Sequence, residues 1–126
     1  MQTTARNMSL AALVAYVAVL ATYMLVPPGT PGTGIVRLLP GKALGAHFLA
    51  YAVLCALIIS TAAFSAWTLR RQIATAVVAS TALNLALEVL QGVVGWRTMD
   101  PLDFIFGLAG TLGVAALWLL AATLAR

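Results

Sequence analysis

Charged residues are scarce in this sequence. Only 8% of the 126 residues are Asp, Glu, Lys or Arg, whereas 63% are hydrophobic. Soluble domains carry roughly 25% charged residues. Three acids and seven bases are too few to cover the apolar surface of a soluble chain of this length. The composition therefore excludes a soluble globular domain and indicates a membrane protein.

Cysteine and histidine are nearly absent as well. Cys55 is the only cysteine and lies in an apolar run, so it forms no intramolecular disulfide. With His47 as the single histidine and no second ligand of either type, we expect no zinc or iron site at the usual spacing. The glycines of segment 28–34 form neither a phosphate-binding loop nor a dinucleotide fingerprint, so we expect no cofactor. No nucleophile accompanies His47 and Glu88; catalytic residues are therefore unknown, and we interpret the chain as a binding protein rather than an enzyme.

The basic charge does not indicate a nucleic-acid partner. The formal net charge is +4 and the pI is about 10.0, but the bases are scattered apart from the pair Arg70 and Arg71. A nucleic-acid-binding protein would gather them into a patch or stripe. Positive loop ends beside a membrane explain the charge better.

Four apolar segments predict an all-α fold, a single-domain bundle of four transmembrane helices covering residues 1–126. The segments span about 9–26, 43–69, 73–94 and 102–124, and each reaches the roughly 18 residues that a membrane-spanning helix needs. The proline- and glycine-rich stretch 27–42 should be an irregular loop. Although Arg6 precedes the first segment, its apolar core exceeds the 7–15 residues of a secretory signal, so we expect a retained helix.

The distribution of basic residues predicts the orientation in the membrane. The positive-inside rule assigns the more basic side to the cytoplasm. One side carries four bases and the other three: Arg6, Arg70, Arg71 and Arg126 against Arg37, Lys42 and Arg97. Both termini should therefore be cytoplasmic, in a multi-pass protein of the bacterial cell membrane.

Glu88 is the most informative residue, because it lies within the third apolar segment. A carboxylate at membrane depth is costly and marks either a functional site or a buried structural partner. Asn84 and Gln91 lie on the same helical face as Glu88, four residues before it and three after it. The structural alternative is that this polar stripe only holds helices together through hydrogen bonds.

Antiparallel helices would bring the scattered polar residues to one membrane face. The start of the second segment, the end of the third and the connection to the fourth then share a side, which is extracytoplasmic in the predicted orientation. The candidate ligand-binding residues at this face are His47, Tyr51, Glu88, Gln91, Arg97 and Asp103, with Asn84 and Asp100 in support.

Several of these residues also have structural explanations. Asp100 fits a helix N-cap, followed by Pro101 in the first turn and Asp103 at the acidic third position of a capping arrangement. Arg97 matches an anion such as phosphate, or instead reaches toward lipid headgroups. Tyr51 could be an interfacial anchor.

Three blocks of the sequence resemble the VanZ-like family of small bacterial membrane proteins. They are Lys42-Ala-Leu-Gly-Ala-His47-Phe-Leu-Ala-Tyr51, Glu88-Val-Leu-Gln91 and Arg97-Thr-Met-Asp100-Pro-Leu-Asp103. The family pattern differs at Gly41, where an aspartate is usual, and at Gly107, where an asparagine is usual. The resemblance covers most of the chain and implies a link to low-level resistance to teicoplanin-type glycopeptides.

Together, the residues and the resemblance predict a polar pocket that binds a cell-envelope component. The ligand would be a membrane lipid, a lipid-linked envelope precursor or another anionic headgroup, with Arg97 engaging the anion. Three alternatives stay open: a small multidrug exporter coupled to protons through Glu88, an enzyme acting on a lipid headgroup, and a structural subunit. The last would use the polar stripe to dock a membrane protein partner or a second copy of the chain.

Overall fold

Four long α-helices dominate the chain in a computed structural model that describes residues 1–125. They are α1 (Gln2–Leu25), α2 (Lys42–Ala62), α3 (Leu69–Val93) and α4 (Pro101–Leu124), with a short 3₁₀-helix at Thr33–Leu38 between α1 and α2. Arg126, counted above among the bases, lies outside the described residues. The predicted all-α bundle of four membrane-spanning helices is confirmed.

Each long helix has the length and hydropathy of a membrane span. The helices contain 21 to 25 residues, and their most apolar windows have a mean hydropathy of 1.8 to 2.1. At 1.5 Å per residue they are about 31–38 Å long, enough to cross a hydrocarbon core of roughly 30 Å. The chain is a four-span helical membrane protein.

The helix ends differ from the apolar segments because hydropathy does not register turns. The second apolar segment continues to residue 69, yet α2 stops at Ala62. The chain then turns through 63–68, and the Thr68 side chain caps α3 by accepting a hydrogen bond from the Arg71 backbone N–H at 3.3 Å. Polar residues before residue 9 continue α1 to Gln2, because helical backbone bonding does not require apolar side chains.

Contacts between helices show that successive helices alternate in direction. Ser9 near the start of α1 is hydrogen-bonded to Thr61 at the end of α2, with 2.8 Å between their hydroxyl oxygens. Gln91 near the end of α3 donates to the Met24 carbonyl near the end of α1 at 2.9 Å. The end of α1, the start of α2, the end of α3 and the start of α4 therefore lie at one end of the bundle.

Two apolar clusters form the core, and α2 contributes to both. Toward α1, the cluster comprises Leu20, Met24, Tyr51, Leu54 and Leu87. Toward α4, it comprises Cys55, Ile59, Ile73, Ala76 and Ala115. α3 also contributes to both, through Leu87 in the first and through Ile73 and Ala76 in the second, whereas α1 belongs only to the first and α4 only to the second. The core of α2 and α3 therefore lies between α1 and α4.

The closest helix approach is between α2 and α4 and depends on glycine. A Cβ at Gly110 would overlap the backbone carbonyl of Phe48, and one at Gly107 would overlap the side chains of Asn84 and Tyr51. Small residues allow such backbone approach in membrane helices. The glycine-bearing face of α4 is thus packed against the bundle.

This packing predicts that Gly110→Ala destabilises the protein. The added methyl meets a backbone carbonyl and forces α2 and α4 apart, so we expect a loss of about 1–3 kcal/mol, typical of overpacking. Thermal unfolding in detergent measures it. Gly113→Ala is the matched control, since a Cβ there meets only the end of the Phe48 ring, at 3.9 Å. Equal stability of the two variants would contradict the close approach.

The predicted orientation has its own test in single-cysteine labelling. The background is Cys55→Ala, and cysteines are introduced at Thr33, Arg71 or Thr98. Membrane-impermeant maleimide added to intact cells should label Thr33→Cys and Thr98→Cys, whereas Arg71→Cys should react only after lysis. Labelling of Arg71→Cys and Thr98→Cys from the same side would contradict the four-span arrangement.

Candidate functional site: a buried histidine–carboxylate cluster

Three helices bring His47, Glu88 and Asp103 together, and these residues are called the His47 cluster. His47 lies in the second turn of α2, Glu88 near the end of α3, and Asp103 in the first turn of α4. His47 Nε2 is 3.3 Å from Glu88 Oε1, and His47 Nδ1 is 3.6 Å from Asp103 Oδ1. One potential ligand atom from each residue lies within 4.8 Å of the other two.

Two members of the cluster are deeply buried, and Asp103 is partly buried. Glu88 is 1% exposed and His47 is 6% exposed. A buried charge requires a partner or hydrogen bonds to offset its lost hydration. Glu88 Oε2 accepts a hydrogen bond from the Asp100 backbone N–H at 3.3 Å, which leaves Oε1 facing His47. Glu88 thus joins the end of α3 to the start of α4.

The proton arrangement on His47 follows from its neighbours. Nδ1 is 2.9 Å from the Ala43 carbonyl oxygen, which can only accept, so Nδ1 carries the proton. Nε2 has no hydrogen-bond partner among the described residues, although Glu88 Oε1 is close. The distance is short enough for an ion pair, but the direction does not suit a hydrogen bond. When His47 is neutral, the lone pair of Nε2 therefore lies close to Glu88 Oε1 in the interior of the bundle.

Tyr51 extends the site one helical turn into the bundle. It is completely buried, and its ring stacks on His47 with the centroids 6.5 Å apart. This position corrects the alternative that Tyr51 anchors the protein at the interface, because no part of the side chain reaches the surface. Its hydroxyl has no hydrogen-bond partner in the described part of the chain.

The polar stripe of α3 extends one helical turn beyond the three residues predicted from the sequence. Ser80, Asn84, Glu88 and Gln91 are all at most 3% exposed and share the inner face of the helix. Asn84 Nδ2 donates to the Phe104 carbonyl at 2.9 Å, so this residue ties α3 to α4. Ser80 lies four residues before Asn84, and the same helical spacing that linked Asn84 to Glu88 could have identified it.

Gln91 and Arg97 hold the end of α1. Gln91 donates to the Met24 carbonyl, and Arg97 Nε donates to the Val26 carbonyl at 3.0 Å. A longer contact of 3.4 Å joins Arg97 Nη2 to the Tyr23 carbonyl. The last carbonyls of a helix lack helical partners, and these side chains supply the missing donors. Neither residue contacts the carboxylates of the His47 cluster through a hydrogen bond or ion pair given by the structure.

Asp100 is an N-cap, as its sequence position predicted. Its carboxylate accepts from the Leu102 backbone N–H at 2.9 Å, and Pro101 occupies the first turn of α4. In the predicted capping arrangement Asp103 would accept a hydrogen bond from the Asp100 N–H. In the structure Glu88 accepts it instead. Asp103 is therefore left to face His47.

Two cavities flank the cluster, and Arg97 lines both. The first, the apolar groove, measures about 400 Å³ between α1, the 3₁₀-helix and α2, and is lined by His47, Arg37 and Arg97 among mostly apolar residues. The second, the polar mouth, measures about 420 Å³ and is lined by Gln91, Trp96, Arg97, Asp100 and Asp103, among others. The sequence-predicted residues do not line one pocket. His47 and Arg97 line the groove, whereas Gln91, Arg97, Asp100 and Asp103 line the mouth. The remaining three, Tyr51, Asn84 and Glu88, are buried and line neither cavity.

No protein-family model, curated protein sequence or solved structure matches this chain. The candidate site consists of one imidazole and two carboxylates from three helices, and it lies between the apolar groove and the polar mouth. These features belong to a four-span helical membrane protein.

Proposed function

We propose that this protein binds an anionic amphiphile of the bacterial cell membrane, a lipid or a lipid-linked envelope precursor, in the apolar groove. The observation that carries the proposal is the composition of the groove. Apolar walls run alongside two arginines and His47 within a single cavity of about 400 Å³. A molecule with an acyl or isoprenoid chain and an acidic headgroup matches both parts.

The apolar part of the groove suits a hydrocarbon chain. Its walls include Leu20 and Met24 from α1, Ile35 and Val36 from the 3₁₀-helix, and Ala50 from α2. Binding sites for small molecules are mostly apolar, with a few polar groups that fix orientation. Burial of chain methylenes here would supply about 0.8 kcal/mol each.

The polar part of the groove suits an anion. Arg97 is positioned by its bonds to α1 through Nε and Nη2, while Nη1 makes no bond to the described residues. A guanidinium held in this way loses little further freedom when it binds phosphate or carboxylate. Arg37 lies at the end of the 3₁₀-helix and lines the same cavity.

A VanZ-like identity is part of the same proposal and rests on the three sequence blocks. Those blocks contain His47, Glu88 and Asp103, whose side chains meet in the bundle, together with Arg97 at the groove. Membership would give the bound ligand a context in the cell envelope and in resistance to teicoplanin-type glycopeptides. The predicted orientation puts the groove at the extracytoplasmic face.

Lipid retention in native mass spectrometry tests the proposal. Protein reconstituted with equal amounts of phosphatidylglycerol and phosphatidylcholine should keep the anionic lipid selectively. The double variant Arg37→Gln/Arg97→Gln should lower its retention at least about 100-fold, because the two arginines lose charge-assisted hydrogen bonds that contribute roughly 1.5–3 kcal/mol each.

Two further variants make this result specific. Arg70→Gln removes an exposed arginine at the start of α3, near the opposite end of the bundle, and should retain lipid like the wild type. Arg97→Lys keeps the positive charge but lacks the paired N–H donors of the guanidinium, so it should give intermediate retention. Equal retention of both lipids by the wild type, or no loss in the double variant, would favour a structural subunit instead.

A further inference from the structure

We propose that His47, Glu88 and Asp103 bind a divalent first-row metal ion, with Zn²⁺ the favoured occupant. The proposal does not rest on lipid binding: His47 lines the groove as well, but Glu88 and Asp103 do not line it, and the anion contacts proposed there are made by Arg37 and Arg97. The spacing of histidine and cysteine in the sequence predicts no metal site, but the fold brings two carboxylates from other helices to His47.

The distances within the cluster suit shared coordination. Zinc binds imidazole nitrogen and carboxylate oxygen at roughly 2.0–2.2 Å, so two ligands on a tetrahedral ion lie roughly 3.3–3.5 Å apart. His47 Nε2 and Glu88 Oε1 are 3.3 Å apart. This is the separation expected when both atoms bind the same ion. Shared coordination would also explain why Nε2 and Oε1 are close although their direction does not suit a hydrogen bond. Asp103 offers a third ligand atom within 4.8 Å of a ligand atom of each partner, but its Oδ1 lies 3.6 Å from Nδ1, so its side chain would have to turn toward Nε2 to complete the set.

His47 has the partner that a metal-binding histidine usually has. Metal-bound imidazoles commonly donate their second N–H to a carbonyl or carboxylate, which fixes the tautomer. Here Nδ1 donates to the Ala43 carbonyl at 2.9 Å, so the lone pair of Nε2 is directed into the cluster. The side chain is more than nine-tenths buried, and Nε2 has no hydrogen-bond partner among residues 1–125. This buried nitrogen without a hydrogen-bond partner points to a ligand between the ring and Glu88.

The charge of the cluster also favours a divalent ion. When they are ionised, the carboxylates of Glu88 and Asp103 bring two negative charges to the cluster. Among the described residues, His47 is the only basic side chain within ion-pair distance of either carboxylate. Arg97, the nearby arginine, donates to the carbonyls of α1 instead. A divalent ion would neutralise the pair within a buried site, where unpaired charge is costly.

The ligand set indicates the class of metal. Imidazole suits Zn²⁺ and other first-row ions, whereas Mg²⁺ and Ca²⁺ prefer sites made only of oxygen. Three protein ligands leave a coordination position open, the pattern of reactive rather than structural zinc sites. Asp103 lines the polar mouth and His47 lines the apolar groove, so the open position would be reached from these cavities.

Metal content and affinity test the site directly. Chelator-treated protein without a histidine tag is dialysed in detergent against Zn²⁺, and bound metal is measured by mass spectrometry. The wild type should bind one ion per chain and unfold at a higher temperature with Zn²⁺. Glu88→Gln and Asp103→Asn should each weaken binding at least tenfold, since even outer-shell partners contribute about 10- to 100-fold. A parallel dialysis against Mn²⁺ compares the affinities of the site for the two metals.

Asp100→Asn is the matched control, because it removes a neighbouring acid outside the cluster and keeps both the N-cap and the backbone N–H that Glu88 accepts. It should bind Zn²⁺ like the wild type.

Asp103→Asn changes a half-buried residue and is the variant least prone to misfolding. Its helicity is checked by circular dichroism. Co²⁺ should give the visible spectrum of tetrahedral coordination in the wild type and in Asp100→Asn, but not in Glu88→Gln or Asp103→Asn. Failure of the wild type to bind metal, or equal affinity in all variants, overturns the proposal. Because the assay contains no added lipid, its failure leaves the proposed lipid binding unaffected.

Discussion

The burial of one carboxylate constrains the end of the bundle where the candidate site lies. Glu88 is almost completely removed from solvent, within a helix that crosses the membrane, where an ionisable group is costly. Its two oxygens meet different helices: one accepts the N–H that begins α4, and the other faces His47 on α2. These two contacts therefore constrain the positions of the start of α4 and of the second turn of α2 relative to α3.

The end of α1 meets a related requirement through the connection between α3 and α4. Three carbonyls near its C-terminus would otherwise lack donors, and Gln91, Trp96 and Arg97 supply them. The connection that caps α1 is also the segment that leads into Asp100 and Asp103. The apolar groove and the polar mouth consequently share a wall at Arg97. An anion held by Arg97 and an ion held by the His47 cluster would be close neighbours.

Much of this arrangement could be predicted from local patterns in the sequence. Hydropathy identified four helices, and helical spacing placed Asn84, Glu88 and Gln91 on one face. Alternation of helix direction then brought His47 and Asp103 to the same end. Contacts of α1 with the later helices could not be predicted, because no repeating pattern records which backbone carbonyls a distant arginine will meet. The metal-compatible geometry was missed for a similar reason, since each helix contributes one ligand and no short spacing exists to recognise.

The contact between Gly110 and the Phe48 carbonyl has a mechanical consequence. Two helices that touch backbone to backbone cannot slide or rotate against each other without a clash, so α2 and α4 behave as a single rigid body. His47 and Asp103 belong to that body, and the separation of their backbones is fixed by it. Glu88 stands on the third helix and is tied to the same body by the Asp100 N–H that it accepts, as Asn84 is by its bond to the Phe104 carbonyl. Opening of the apolar groove would therefore be a displacement of α1 or of the 3₁₀-helix, with the α2–α4 pair as the stationary platform.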